Sequence, residues 1–272
     1  MTDKYMTDEE LYFFDTFGYL KVEQVVDKPT IEKAFAASQR VIAEHPELYQ
    51  DAVYGDKYSS AFMFDKTLER LPRSPKILGY ACALLNNMPR LLGGLLMVNG
   101  AKHADHKFHC QKEIDRYRVE NAPGFFGSYG THSIYCDLFT CFVYLTDVRP
   151  GDGGLAIIPG SHKSEFYYPK DNPYPLDMEG AITVTANAGD MIIMPLRLVH
   201  AAHKWQPTDR DRVIMFYSFS PQDVYHAGYE DSLQEAKDAG IELDPETLDL
   251  LSIKEKGLSG DRKHAVIDLV GE

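Results

Sequence analysis

Two hydrophobic periodicities divide the chain. Before Pro89 apolar residues recur at helical spacing. Between Pro89 and Pro221 they form short runs punctuated by Gly, Pro and Asp. Thr7-Asp8-Glu9-Glu10 has the pattern of a helix start, with acids in the first turn and a capping box from Thr7 to Glu10. Leu11, Phe14 and Phe17 follow on one face, Gly18 stops the helix, and YLKVEQVV forms a short strand. A second amphipathic helix is predicted over 30–45, with Ile31, Ala34, Phe35, Ser38 and Val41 on its apolar face. A third, rich in Ala and Leu, is predicted over 75–87. The segments LLGGLLMVNG, SIYCDLFTCFVYLTDV, GGLAIIPGSH, AITVTANAGD, MIIMPLRLVH and RVIMFYSFSP then predict strands. From Tyr229 onward the chain is acidic with helical patterning. The expectation is a mainly β protein with flanking helices in a single domain over 1–272. N-terminal helices fill 1–89, a β block 90–221, and a helical C-terminal extension 222–272. The connections at 101–130 and 163–180 are long enough to be lids or binding segments.

Composition narrows the partners. The 272 residues carry a formal net charge of −13, which argues against nucleic acid and against an anionic membrane surface. Seventeen Tyr and 14 Phe suit a β-rich interior or an aromatic-lined cavity. Cys82, Cys110, Cys136 and Cys141 show no C-x-x-C spacing and are expected to be reduced thiols. The N-terminus lacks a signal-peptide pattern and no apolar run approaches 18 residues, so a cytoplasmic protein is expected. A local basic excess, Lys102, Lys107, Lys112, Arg116, Arg118, Lys163 and Lys170, lies in the two long connections. It suits a small anionic or zwitterionic metabolite, and solvated loop charges explain it equally well.

The chemistry concentrates near His200. This residue is expected to end an apolar strand opened by the turn Ala188-Gly189-Asp190, and Arg212 begins the next strand. Adjacent antiparallel strands can aim both side chains into one barrel, where imidazole suits a metal and guanidinium suits a carboxylate. Arg210 competes for the second role. Upstream, His103, His106 and His109 are candidates for a further ligand, and a solvated loop explains their density about as well. His162 is expected to be structural, His203 to face solvent or a cavity rim, and Trp205 to pack. Phe139 and Phe142 are expected to pack too, while Asp137 is a carboxylate inside an apolar run that requires a partner or a cavity.

Five segments in order, FDTFGYLKVEQVV, MVNGAKHADHKFHC, LTDVRPGDGGLAIIPGSHKS, AGDMIIMPLRLVH and RDRVIMFYSFSP, resemble the phytanoyl-CoA dioxygenase-like branch of the Fe(II)/2-oxoglutarate oxygenases. The resemblance implies a double-stranded β-helix (jelly-roll, cupin-like) core, a mononuclear Fe(II), and 2-oxoglutarate. It places the proximal His on His109, the distal His on His200, and the cosubstrate arginine on Arg212. Tyr135, Thr140 and Tyr144 lie on a strand expected to cross the barrel, where one or more of them would hydrogen-bond 2-oxoglutarate. The resemblance also implies an O2-dependent oxidation, hydroxylation by default, of a C–H bond in a small-molecule substrate with release of succinate and CO2. Demethylation or C–N cleavage, and homo-oligomerisation, are left open. The chain departs from the family's His-x-Asp: strand alternation puts Gln111 in the carboxylate position. Gln111 itself, water, Glu113 or Asp105 could fill that position, or His103-Ala104-Asp105 could be the true pair. The rival expectation is a degenerate jelly-roll binding or regulatory protein.

Overall fold

The computed structural model describes residues 5–85, 87–110, 117–121, 132–136, 138–164, 177–222 and 232–253, with only the backbone of 117–121 and 132–135. In chain order the elements are α1 (Asp8–Phe17), β1 (Leu20–Val22), α2 (Lys28–Glu44), β2 (Tyr49–Ala52), β3 (Gly55–Tyr58), α3 (Lys66–Arg70), α4 (Pro75–Leu84), β4 (Pro89–Asn99), β5 (His106–His109), β6 (Tyr117–Asn121), β7 (His132–Cys136), β8 (Phe139–Tyr144), β9 (Gly154–Ile157), β10 (Ile182–Thr183), β11 (Met191–Pro195), β12 (His200–His203), β13 (Arg212–Pro221), α5 (Ser232–Asp238) and α6 (Pro245–Leu251).

The strands form a seven-stranded sheet in the order β1-β11-β8-β13-β4-β3-β2 and a four-stranded sheet in the order β10-β9-β12-β5, with β6 and β7 as a separate pair. Every described strand pairing is antiparallel. This is the expected jelly roll with flanking helices. Period-two alternation assigns the faces of the large sheet. Cys141, Val143, Ile193, Met215 and Tyr217 point outward into a core shared with α1 to α4. Phe142, Tyr144, Ile192, Met194 and Ile214 point inward, toward Leu155 and Ile157 of the small sheet.

Local signals explain the flanking elements. The Thr7–Glu10 capping box forms as expected, and Gly18 ends α1 at φ +76°. A Cβ there would run into the His162 ring, which lies buried beneath it. At the other end, Arg73, only 1% exposed, bonds Asp244 at 2.6 Å, and Arg70 and Lys66 share the same carboxylate. Arg90 Nε donates to Leu251 O, so α6 is tied to the start of β4.

Three features differ from the sequence expectation. Besides the expected β1, the segment 1–89 also supplies β2 and β3, so the large sheet is extended on both sides. His200 does not end the MIIMPLRLVH strand. That strand stops at Pro195, a turn closed by Leu198 N to Pro195 O at 3.0 Å intervenes, and His200 opens β12 in the other sheet. Consequently β12 and β13 are not neighbours; they belong to the two facing sheets. Among the described residues, no helix is long and apolar enough to cross a membrane.

Candidate metal and carboxylate site

His109 and His200 are direct partners in the β5–β12 ladder, with ring centroids 4.2 Å apart. Each Nδ1 lies against the carbonyl two residues earlier: His109 on Lys107 O at 3.0 Å, His200 on Leu198 O at 2.7 Å. A carbonyl only accepts, so both Nδ1 atoms carry the proton and both Nε2 atoms keep a lone pair. Burial lowers both pKa values, that of His200 to about 3, so the two rings are neutral at pH 7. Neutral imidazoles with their remote nitrogen anchored by a backbone acceptor are prepared metal ligands.

The ladder carries a register shift: Ala202 pairs with His106 while His200 pairs with His109. Between these rungs two residues of β5, Lys107 and Phe108, therefore oppose one of β12, Ala201, a β-bulge that breaks strict alternation. It turns His106 to the same cavity as His109, with ring centroids 4.3 Å apart. On its other side His106 lies 4.0 Å from the Tyr54 ring, in the turn between β2 and β3. Phe108 faces away, packed with Ala156, Val199 and Ala201.

The imidazoles open on a cavity of about 510 Å³ whose other walls include Thr140, Phe142, Tyr144, Leu155 and Arg212. Arg212 is buried, and its Nε donates to Asn99 Oδ1 at 3.0 Å. Its Nη1 and the Tyr144 hydroxyl, both buried, have no hydrogen-bond partner among the described residues. Burial depresses the Arg212 pKa and pushes that of Tyr144 to about 12, so the hydroxyl stays a neutral donor. Gly154, at φ +90°, passes so close that a Cβ would collide with Arg212 Nη1. Two buried donors with no acceptor, one of them cationic, define a place for an anion. Thr140 reaches the same wall, its hydroxyl 3.0 Å from that of Ser218.

The remaining candidates separate clearly. Arg210 pairs with Asp152 and Asp209 and does not line the cavity. His103 uses both ring nitrogens locally: Nδ1 accepts from Gly100 N at 2.9 Å, and Nε2 meets Asp56 Oδ1 at 3.2 Å. Asp105 accepts from Lys204 N at 2.8 Å and lines a different depression with His203. The His103/Asp105 pair thus lies outside this cavity. His162 bonds Asp15 O from within the fold, and Trp205 is buried with its indole N–H on Arg210 O. Phe139 packs against Phe219 in the outer core, whereas Phe142 meets Phe216 at the cavity wall. Of the basic loop residues, Lys102 pairs with Asp56 and Lys163 with Asp15. Gln111, Glu113, Asp137, Lys112, Arg116, Lys170 and the side chains of Tyr135 and Arg118 lie outside the described residues. Among the described residues, no cluster of three or more His, Cys, Asp or Glu side chains is arranged to hold a metal ion.

A family model described as phytanoyl-CoA dioxygenase (PhyH) matches residues 14–212. Comparison with curated proteins found no match. Among solved structures, HygX from Streptomyces hygroscopicus with nickel, 2-oxoglutarate and hygromycin B bound is similar, with a TM-score of 0.65 and 20% identity over 79% of this chain and 88% of that one. The epimerase SnoN, in complex with Fe3+, alpha ketoglutarate and nogalamycin RO, has a TM-score of 0.63 and 20% identity over 80% of this chain and 85% of its own. EctD from S. alaskensis, with 2-oxoglutarate and 5-hydroxyectoine, has a TM-score of 0.62 and 16% identity over 81% and 78%. At these identities the likeness speaks for the fold.

Proposed function

The chain belongs to the phytanoyl-CoA dioxygenase family, and from that membership we propose that it is an Fe(II)- and 2-oxoglutarate-dependent dioxygenase that hydroxylates a C–H bond of a small-molecule metabolite, releasing succinate and CO2. One observation carries the reading. A pair of neutral, backbone-anchored imidazoles shares a cavity with a buried guanidinium that no carboxylate among the described residues neutralises.

The residues fit the cofactors on chemical grounds. The Nε2 lone pairs of His109 and His200 suit a divalent metal, and Gln111 occupies the family's carboxylate position. Arg212 Nη1 and the Tyr144 hydroxyl suit the far carboxylate of 2-oxoglutarate, with Thr140 on the same cavity wall as a further contact. Iron held here with 2-oxoglutarate supplies the O2-dependent oxidising chemistry. The chain's own part is placement: Arg212 fixes one end of the cosubstrate, the imidazole pair fixes the metal, and Phe142, Leu155 and Ile214 wall the cavity with apolar surface that limits water. The fold-mates bound to 2-oxoglutarate include an epimerase and an enzyme seen with a hydroxylated compound, so this scaffold supports more than one outcome after oxidation begins. Four free thiols suit a reducing compartment, and the cytoplasm is the proposed location.

The test is an anaerobic titration with Fe(II) and 2-oxoglutarate, followed by a succinate assay on admitting O2. Saturable binding of both with O2-dependent succinate formation supports the dioxygenase. Bound 2-oxoglutarate without succinate supports the rival, a degenerate binding or regulatory jelly roll, for which Gln111 in place of a carboxylate is the favouring observation. Failure to bind either ligand overturns both.

A further inference from the structure

Arg212 is held by an amide where an acid would bind it more strongly. The last residue of β4, Asn99, is 4% exposed and faces Arg212 as its direct partner in the β13–β4 ladder. Its Oδ1 accepts from Arg212 Nε at 3.0 Å, and its Nδ2 donates to Tyr54 O. The second bond fixes the amide, because the Tyr54 carbonyl can only accept and so the oxygen must face the guanidinium. Little room is left for another arrangement: a Cβ on Gly55 would lie 2.5 Å from Asn99 Nδ2 and 2.7 Å from Met97 Sδ.

From this geometry we infer that Asn99 is a positioning residue that orients Arg212 for a dicarboxylate ligand while leaving its charge unspent. The inference rests on the reading of Arg212 as the site for the far carboxylate of 2-oxoglutarate. A carboxylate at position 99 would make a charge-assisted bond to Arg212, compensate it inside the protein, and compete with the ligand. It would also set two acceptors against each other, because Tyr54 O would lose its donor. An amide satisfies Nε, supports the hairpin turn between β2 and β3, and leaves the delocalised guanidinium charge uncompensated, with Nη1 and the Tyr144 hydroxyl both without a partner among the described residues. Tyr54 is also the residue whose ring packs at a tilt against His106, so Asn99 ties the anion end of the cavity to the turn that covers its imidazole end.

The experiment measures binding of 2-oxoglutarate and of 2-oxopentanoate, its analogue without the far carboxylate, to the Co(II)-loaded native protein, Asn99→Asp and Asn99→Ala, by anaerobic calorimetry. The expected result for Asn99→Asp is a loss of about tenfold or more in preference for the dicarboxylate, a shift of about 1.4 kcal/mol or more. Co(II) and 2-oxopentanoate affinities stay near native. Asn99→Ala, which removes the clamp without adding charge, loses less of that preference. Unchanged discrimination in Asn99→Asp overturns the inference. Parallel loss of both ligands in both variants also overturns it, because it shows a merely structural residue. A native protein that itself fails to prefer 2-oxoglutarate sinks the reading of the cavity, and that outcome is visible before any variant is made.

Discussion

His109 and His200 face each other across one rung of the β5–β12 ladder, and each ring leans back on the carbonyl two residues before it. The shared i to i−2 anchor means that neither imidazole can rotate freely, and the entropy of aligning a ligand is met by the fold. His200→Ala and His109→Ala are each expected to weaken Fe(II) or Co(II) binding by on the order of 100-fold or more, since losing a mere supporting partner already costs 10- to 100-fold. Anaerobic titration checks this, and so does thermal denaturation. Metal at about 100 times its Kd should stabilise the native protein by about 2.7 kcal/mol and leave the variants unmoved. His103→Ala is the control, because both of its ring nitrogens are engaged elsewhere, and it should retain metal.

Arg212 and Arg210 are two residues apart and play different parts. Arg212→Ala removes the buried cation beside Tyr144 and is expected to weaken 2-oxoglutarate by about 2–5 kcal/mol, the range for breaking a buried charge pair. Arg210→Ala removes a partially exposed partner of Asp152 and should leave 2-oxoglutarate affinity within about twofold, or roughly 0.4 kcal/mol. Equal losses would show that the cosubstrate lies elsewhere.

Gly154 is the other constraint on the arginine. Its φ of +90° disfavours any side chain, and a Cβ would strike Arg212 Nη1. Gly154→Ala should therefore destabilise the protein by about 1–3 kcal/mol and also weaken 2-oxoglutarate. Urea denaturation measures the first effect and calorimetry the second. A stability loss with native 2-oxoglutarate affinity would mean that the guanidinium shifts without consequence for the ligand.

Much of this was legible in the sequence because it is periodic or locally punctuated. The Thr7–Glu10 box, the Gly18 stop and the short apolar runs FTCFVY and RVIMFYSF each encode their own geometry. The grouping of His109, His200 and Arg212 came from the family resemblance, and the three side chains line one cavity. What stayed hidden depends on contacts remote in sequence. β2 and β3 are largely polar and half-exposed, so YQDA and GDKY carry no alternating apolar signal. The bulge in β5 shows only in its pairing with β12, and without it alternation sets His106 on the face opposite His109. Asn99 is one polar residue at a strand end; only the fold brings it to Arg212. The run from Met191 to His200 is apolar enough to pass for one strand, and Pro195 was the sole sign of the break.

Asp244 anchors the C-terminal helices through charge. Burial opposes its ionisation, yet bonds from Arg70, Lys66 and Arg73 hold its pKa at about 2. Asp244→Ala leaves Arg73 buried with, among the described residues, only the Glu246 carboxylate at 3.3 Å, and should cost about 3–5 kcal/mol in denaturant unfolding. The pair's contribution is present above the ordinary carboxylate pKa of 3.8 and is lost only as pH falls through about 2.

Acid sensitivity should therefore begin with the histidines, well above the pH at which Asp244 is protonated. Burial lowers His106 and His162 to about 4 and His200 to about 3, from the ordinary 6.5. Below pH 6.5 the unfolded chain takes up protons that the folded protein refuses, so stability falls as pH drops from 6.5 toward 4 and flattens only below the folded values. Thermal melts of the metal-free protein from about pH 7.5 to 4 should show that decline. His162 lies apart from the cavity, beneath Gly18, so His162→Asn should reduce the slope while leaving Co(II) affinity native. A metal-free melting temperature that is flat across this range would show that the buried imidazoles titrate normally.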